Sequence, residues 1–198
     1  MAAPPDAPTG IDDAALIEQS WDRPEVFAVL YDRYFGEIHR YAAGRLGTQL
    51  ADDLAAETFL VAFRRRATFD RDRGAVRPWL YGIATNLLAD HRRSETRRLQ
   101  AFQRAPADAE TDGGHEDRVT ARVSAAHARE RLAAALGRLP DGDREVLLLA
   151  AFSDLSYVEI AQTLDIPFGT VGSRLNRVRR KLRAALGGIN PLIGGSDG

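Results

Sequence analysis

The residues most able to do chemistry stand in one segment, SYVEIAQTLDIPFGTVGSRLNRVRRKL, from Ser156 to Leu182. Val171, Leu175, Val178 and Leu182 recur at helical spacing and mark a buried stripe. Thr170, Ser173, Arg174, Arg177 and Lys181 then point outward together. Hydroxyls and guanidinium groups on one helix face suit base edges and phosphates in a DNA major groove. An arginine fork on guanine is worth about 1–3 kcal/mol of discrimination. Arg179, Arg180, Lys181 and Arg183 suit phosphate, which positions a protein without reading sequence. Ile160, Ala161 and Leu164 give the preceding helix its apolar side, and Asp165 occupies the turn, where a left-handed backbone is tolerated at some cost. Gly172 costs the second helix about 1 kcal/mol.

A second basic stretch runs from Arg64 to Arg104, with eleven arginines against four acids. Within it Asn86 lies in an apolar helical run, where an amide needs a partner. Catalytic chemistry finds no support. Cysteine is absent, which removes thiolate nucleophiles, thiolate metal sites and disulfides. His39, His91, His115 and His127 have no ligand spacing, and no phosphate loop, nucleophile elbow or zinc pattern occurs. The acidic pairs Asp12-Asp13 and Asp52-Asp53 fall at helix starts, where carboxylates suit the dipole.

These groups must be positioned by helices. With 198 residues, 44% of them apolar, the chain can bury one core or two small ones. Its formal net charge is −1, so charge distribution matters more than total. Six basic residues and no acid lie from Val171 to Leu186, while Ala105 to Asp117 holds five acids and no base. Helical periods run from Pro24 to Leu46, where Gly47 stops them, then from Asp52 to Arg66. Another opens at Pro78 and runs through Trp79 and Leu88 to Arg93. The pattern dissolves from about Leu99 to Arg118 and returns from Val119 to Leu139 and from Asp143 to Phe152. No run approaches a membrane span and the N-terminus lacks a signal-peptide pattern, which predicts a soluble, cytoplasmic protein.

Two blocks carry a resemblance. DDLAAETFLVAFRRRATFD with RPWLYGIATNLLADHRR resembles region 2 of the extracytoplasmic-function sigma factors of bacterial RNA polymerase. LPDGDREVLLLAAFSDLSYVEIAQTLDIPFGTVGSRLNRVRRKL resembles their region 4. The resemblance implies an all-α fold of two small helical domains joined by a flexible linker. Its divisions are a flexible N-terminus with a short helix (1–23), region 2 (24–98), a linker (99–120), region 4 (121–186, helix-turn-helix 156–182) and a flexible tail (187–198). It implies a promoter-specificity factor that is not itself an enzyme and takes no cofactor or metal.

The same resemblance assigns residues. Asp53, Leu54, Glu57, Thr58 and Phe59 would dock on the polymerase β′ subunit, an acidic and apolar face against a basic coiled coil. Phe69, Arg73, Asn86, Arg92 and Arg93 would capture the single-stranded −10 element, meeting the cost of opening, about 1.4 kcal/mol per base-pair step, with stacked or flipped bases and held phosphates. Thr170, Ser173, Arg174, Arg177, Arg180 and Lys181 would read and hold the −35 element. The implied partners are core polymerase through β and β′, promoter DNA and an anti-sigma factor. Two other readings stay open: a dimeric helix-turn-helix regulator that does not act through core polymerase, and a polymerase adaptor that does not melt DNA.

Overall fold

The computed structural model describes residues 12–104 and 131–186. All regular elements among them are helical. The first region comprises α1 (Asp13–Asp22), a 3-10 turn (Pro24–Phe27), α2 (Ala28–Leu46), α3 (Thr48–Arg65) and α4 (Val76–Arg104). The second comprises α5 (helical over 131–137), α6 (Asp141–Phe152), α7 (Tyr157–Thr163) and α8 (Phe168–Ala185). The expected linker core and C-terminal tail, like residues 1–11, lie outside the described residues.

Local chemistry sets most boundaries. Asp12 caps α1, its carboxylate accepting from Ala14 N–H at 3.4 Å. Gly47, at φ 81°, ends α2 in a conformation that suits a residue without Cβ. Ser156 and Glu159 form a reciprocal capping box on α7. Asp165 turns the chain into α8 at φ 50°, the left-handed position read from the sequence.

Several boundaries differ from expectation. Helix α1 is part of the first bundle rather than a loose leader: Leu16 and Ile17 are 2% and 0% exposed. Its Asp13 receives the Arg33 guanidinium and the Tyr34 hydroxyl; burial, with this carboxylate, pushes the Tyr34 pKa up. Helix α3 begins at Thr48, so Asp52 and Asp53 stand in its second turn, not at its head. Helix α4 continues to Arg104, past the expected end of region 2.

The two regions share a core. Leu80, Ala84 and Leu88 of the first are continuous with Val146, Leu149, Ile160 and Ala161 of the second. Each such Leu, Ile or Val side chain contributes roughly 1.5–3 kcal/mol of burial. Two glycines leave room for close approach between the regions. A Cβ on Gly44 of α2 would lie 2.4 Å from the Phe152 ring of α6, and one on Gly82 of α4 would lie 3.2 Å from the Thr163 carbonyl oxygen of α7. The two regions, joined by the linker, thus pack against one another. The apolar faces of α4 and α7 cover one another.

Candidate nucleic-acid interface

The first site forms where the loop after α3 turns back along α4. Phe69, Arg73 and Asn86, expected to act together, do line one pocket of about 300 Å³. Phe69 and Trp79 pack edge to face with centroids 5.3 Å apart. Trp79 is only half-buried and forms pocket wall as well as core. Asn86 is exposed, its amide on the pocket lining and not sealed in the bundle. An aromatic pair beside a free amide and a guanidinium can stack a base, bond to its edge and hold the adjoining phosphate.

Region 4 closes over this pocket. Gln162, Thr163 and Asp165 complete its lining. Arg73 donates to Asp165 at 3.2 Å and the Thr163 hydroxyl to the Pro78 carbonyl at 3.3 Å. Deeper in the interface Arg45 forms a bidentate pair with Glu145, at 2.8 and 3.0 Å, with side chains 7% and 11% exposed. Arg45 also donates to the Tyr41 hydroxyl, which shares a hydrogen bond with Thr85. Arg77 bridges the regions, donating to Glu37 and to Glu159, both at 2.8 Å. Burial alone raises the Glu159 carboxyl pKa; the bonds from Ser156 N–H and hydroxyl, with Arg77, outweigh it and hold the pKa below the ordinary 4.5.

Arg92 and Arg93 stand apart from the pocket, further along α4. Arg92 donates to Asp141 at 2.8 Å and Arg93 to Asp90. They line a separate groove with Arg97 and Arg144. The five residues expected to share a basic track and base pocket are thus divided between two sites.

Helix α8 buries Val171, Leu175, Val178 and Leu182, as its spacing requires. Of the arginines expected to face outward, Arg174 is half-buried and Arg177 stays exposed, but both bond to α6. Arg174 donates to the Gly142 carbonyl at 3.2 Å, and Arg177 to Asp143 at 3.1 Å. Lys181 lies 4.0 Å from the same carboxylate. Asp143 is 2% exposed and needs these cations, which draws that flank of α8 onto the start of α6. Thr170 is half-buried, while Ser173, Asn176, Arg179 and Arg180 are exposed. Asn176 was missed in the sequence. Its signal was its spacing, three residues after Ser173 and four before Arg180, and an amide can bond bidentate to adenine.

On α3, Asp53 and Glu57 are exposed, but Leu54, Thr58 and Phe59 are 6%, 0% and 3% exposed. Those three face the core side of the helix. Leu50 and Leu60, 40% and 47% exposed, share a stripe with Asp53, Glu57 and Arg64 by helical spacing. The result is an acidic centre between two apolar contacts.

No helix among the described residues is long and apolar enough to cross a membrane, and no group of three or more potential metal-ligating acids or histidines forms among them. Residues 30–98 match the family model of sigma-70 region 2, and residues 129–182 that of sigma-70 region 4. The sigma factor BldN of Streptomyces coelicolor is 36% identical over 167 residues, covering 82% of this chain and 61% of that protein. SigW of Bacillus subtilis is 31% identical over 175 residues, covering 82% of this chain and 89% of that protein. The structure of CnrH in complex with the cytosolic domain of CnrY is similar at TM-score 0.55 and 29% identity, covering 88% of this chain and 97% of that one. The chain belongs to the extracytoplasmic-function sigma factors of the sigma-70 family.

Proposed function

We propose that this sigma factor captures a −10 base in the Phe69–Trp79–Asn86 pocket and reads the −35 element with the exposed face of α8. Family membership makes it a transcription initiation factor that directs RNA polymerase to specific promoters. The observation that carries the division of labour is the pocket itself, which joins two aromatic rings, an exposed amide and Arg73 in one wall. On the −35 side, Ser173, Asn176 and Arg180 face bases and phosphate, with Thr170 at the edge; Arg174, Arg177 and Lys181 brace α8 on α6 and supply positive charge. The Leu50–Asp53–Glu57–Leu60 stripe docks on the β′ subunit, and region 4 engages β.

The chain does no chemistry of its own and works in the cytoplasm, where core polymerase and promoter meet. The shared core of the two regions supports a closed resting form that must open, since Asp165 and Thr163 stand where a captured base and its phosphate would enter. An anti-sigma factor would bind the surfaces that opening exposes. Transcription in vitro with core enzyme tests the reading. Specific initiation requires Asn86 and Asn176; retention of full activity by both alanine variants overturns the assignment of base readers.

A further inference from the structure

We propose that Phe168, the first residue of α8, is a specificity residue of region 4, its ring packing on the 5-methyl group of a thymine in the major groove of the −35 element. This role rests on the −35 reading of α8 and adds to it a base that no polar group reads. Phe168 is 60% exposed, the most exposed large apolar side chain among the described residues. Phe27 and Phe59, by contrast, belong to the core. A single apolar side chain at a surface is ordinary; its position is what sets Phe168 apart. A recognition helix presents its N-terminal residues to base edges, and Phe168 opens α8 directly after Pro167.

The other residues of the first two turns leave that task to the ring. Gly169 and Gly172 have no side chain, and a Cβ on either would meet nothing within 4 Å. Val171 is buried and Thr170 half-buried, and the Ser173 hydroxyl turns back to the Thr170 carbonyl at 3.0 Å. Arg174 is held by the Gly142 carbonyl and Arg177 by Asp143. These two arginines lie on one flank of α8; Phe168, by helical spacing, lies on the other. Phe168, Gly172 and Asn176 stand four residues apart, in one row along the helix. With Gly172 bare, the row has an aromatic ring at one end, an amide at the other and open backbone between them. It is about 12 Å long at 1.5 Å per residue, or roughly three to four base-pair rises of about 3.4 Å. The amide suits adenine. A phenyl ring, having neither donor nor acceptor, suits the one apolar group a base displays in the major groove, the thymine methyl. Cytosine carries only hydrogen at that position, so the ring favours thymine over cytosine without a hydrogen bond.

Deoxyuridine differs from thymidine only in lacking that methyl group. The probe is therefore the promoter duplex mapped by transcription with core polymerase and the full chain, each −35 thymine on either strand replaced in turn by deoxyuridine. Holoenzyme carrying the wild-type chain should bind one of these duplexes about fourfold more weakly, the effect of burying one methyl group. With Phe168→Ala, the thymine and uracil duplexes should bind equally, and equal melting temperatures of the two chains show that only the exposed ring has changed. Absence of any uracil-sensitive position, or sensitivity that survives Phe168→Ala, overturns the role of Phe168. So does a Phe168→Ala chain that loses affinity for core polymerase without DNA, which makes the ring a protein contact. If Asn176→Ala and Arg180→Ala also leave duplex affinity unchanged, α8 is not the −35 reader; if they weaken it while uracil has no effect, only the thymine contact fails.

Discussion

Arg73 and Asp165, 92 residues apart in the chain, meet at 3.2 Å over the mouth of the Asn86 pocket. Both side chains are largely exposed, at 71% and 87%, so the pair contributes at most about 1 kcal/mol. Such a contact can mark the closed form without locking it. A phosphate offering charge to Arg73 can replace the carboxylate.

Asp165→Asn isolates that competition, because asparagine also tolerates the positive φ. Thermal stability should stay within about 0.5 kcal/mol, while affinity for a single-stranded oligonucleotide rises. Unchanged affinity, measured by fluorescence anisotropy, would show that Asp165 does not compete.

The buried pair behaves differently. Glu145→Ala leaves the Arg45 guanidinium buried without its bidentate partner, at a cost of about 3–5 kcal/mol. Replacing both residues together with Met and Leu should recover most of that loss. Denaturant unfolding of the two single variants and the double variant checks it; additive losses would contradict the pairing.

On α8, Asn176→Ala should weaken −35 duplex binding selectively, by about 1–3 kcal/mol. Arg180→Ala should weaken specific and scrambled duplexes alike and flatten the salt dependence. Arg177→Ala should appear first as lost stability, about 1–3 kcal/mol, because the buried Asp143 carboxylate loses its nearest donor. Parallel melting curves and duplex titrations separate these outcomes.

Glu57→Lys reverses charge at an exposed position of α3 and should abolish co-elution with core polymerase while leaving the melting temperature nearly unchanged. Phe59→Ala would not be a comparable probe: its ring is 3% exposed, and its loss costs about 3–5 kcal/mol.

Acid should loosen the closed form through Glu159. Its folded pKa lies below the ordinary 4.5, so its contribution is whole above that pH and is lost as pH falls through the folded value. Small-angle scattering between pH 6 and about 3 should show expansion in the wild type. Glu159→Gln should already be expanded at the upper end, with a flatter response.

Period and turn chemistry made most of the helices legible. The stripe Val171–Leu175–Val178–Leu182, the Gly47 stop and the Asp165 turn all appear as read, because each rests on neighbours in the chain. What escaped rests on distant partners. Nothing near Arg177 announces that a buried Asp143 will draw it aside, and nothing near Glu145 names Arg45. Likewise, Leu54 and Leu60 look equivalent along α3 until α2 and α4 pack against it and bury only the first. The apolar neighbours of Asn86 suggest burial where the pocket leaves it open.

Gly44 sets the spacing between α2 and α6 by having no side chain, and the Phe152 ring occupies the room a methyl group would take. A methyl group there should push the exposed Phe152 ring aside and loosen α2 from α6, an expansion that small-angle scattering would register.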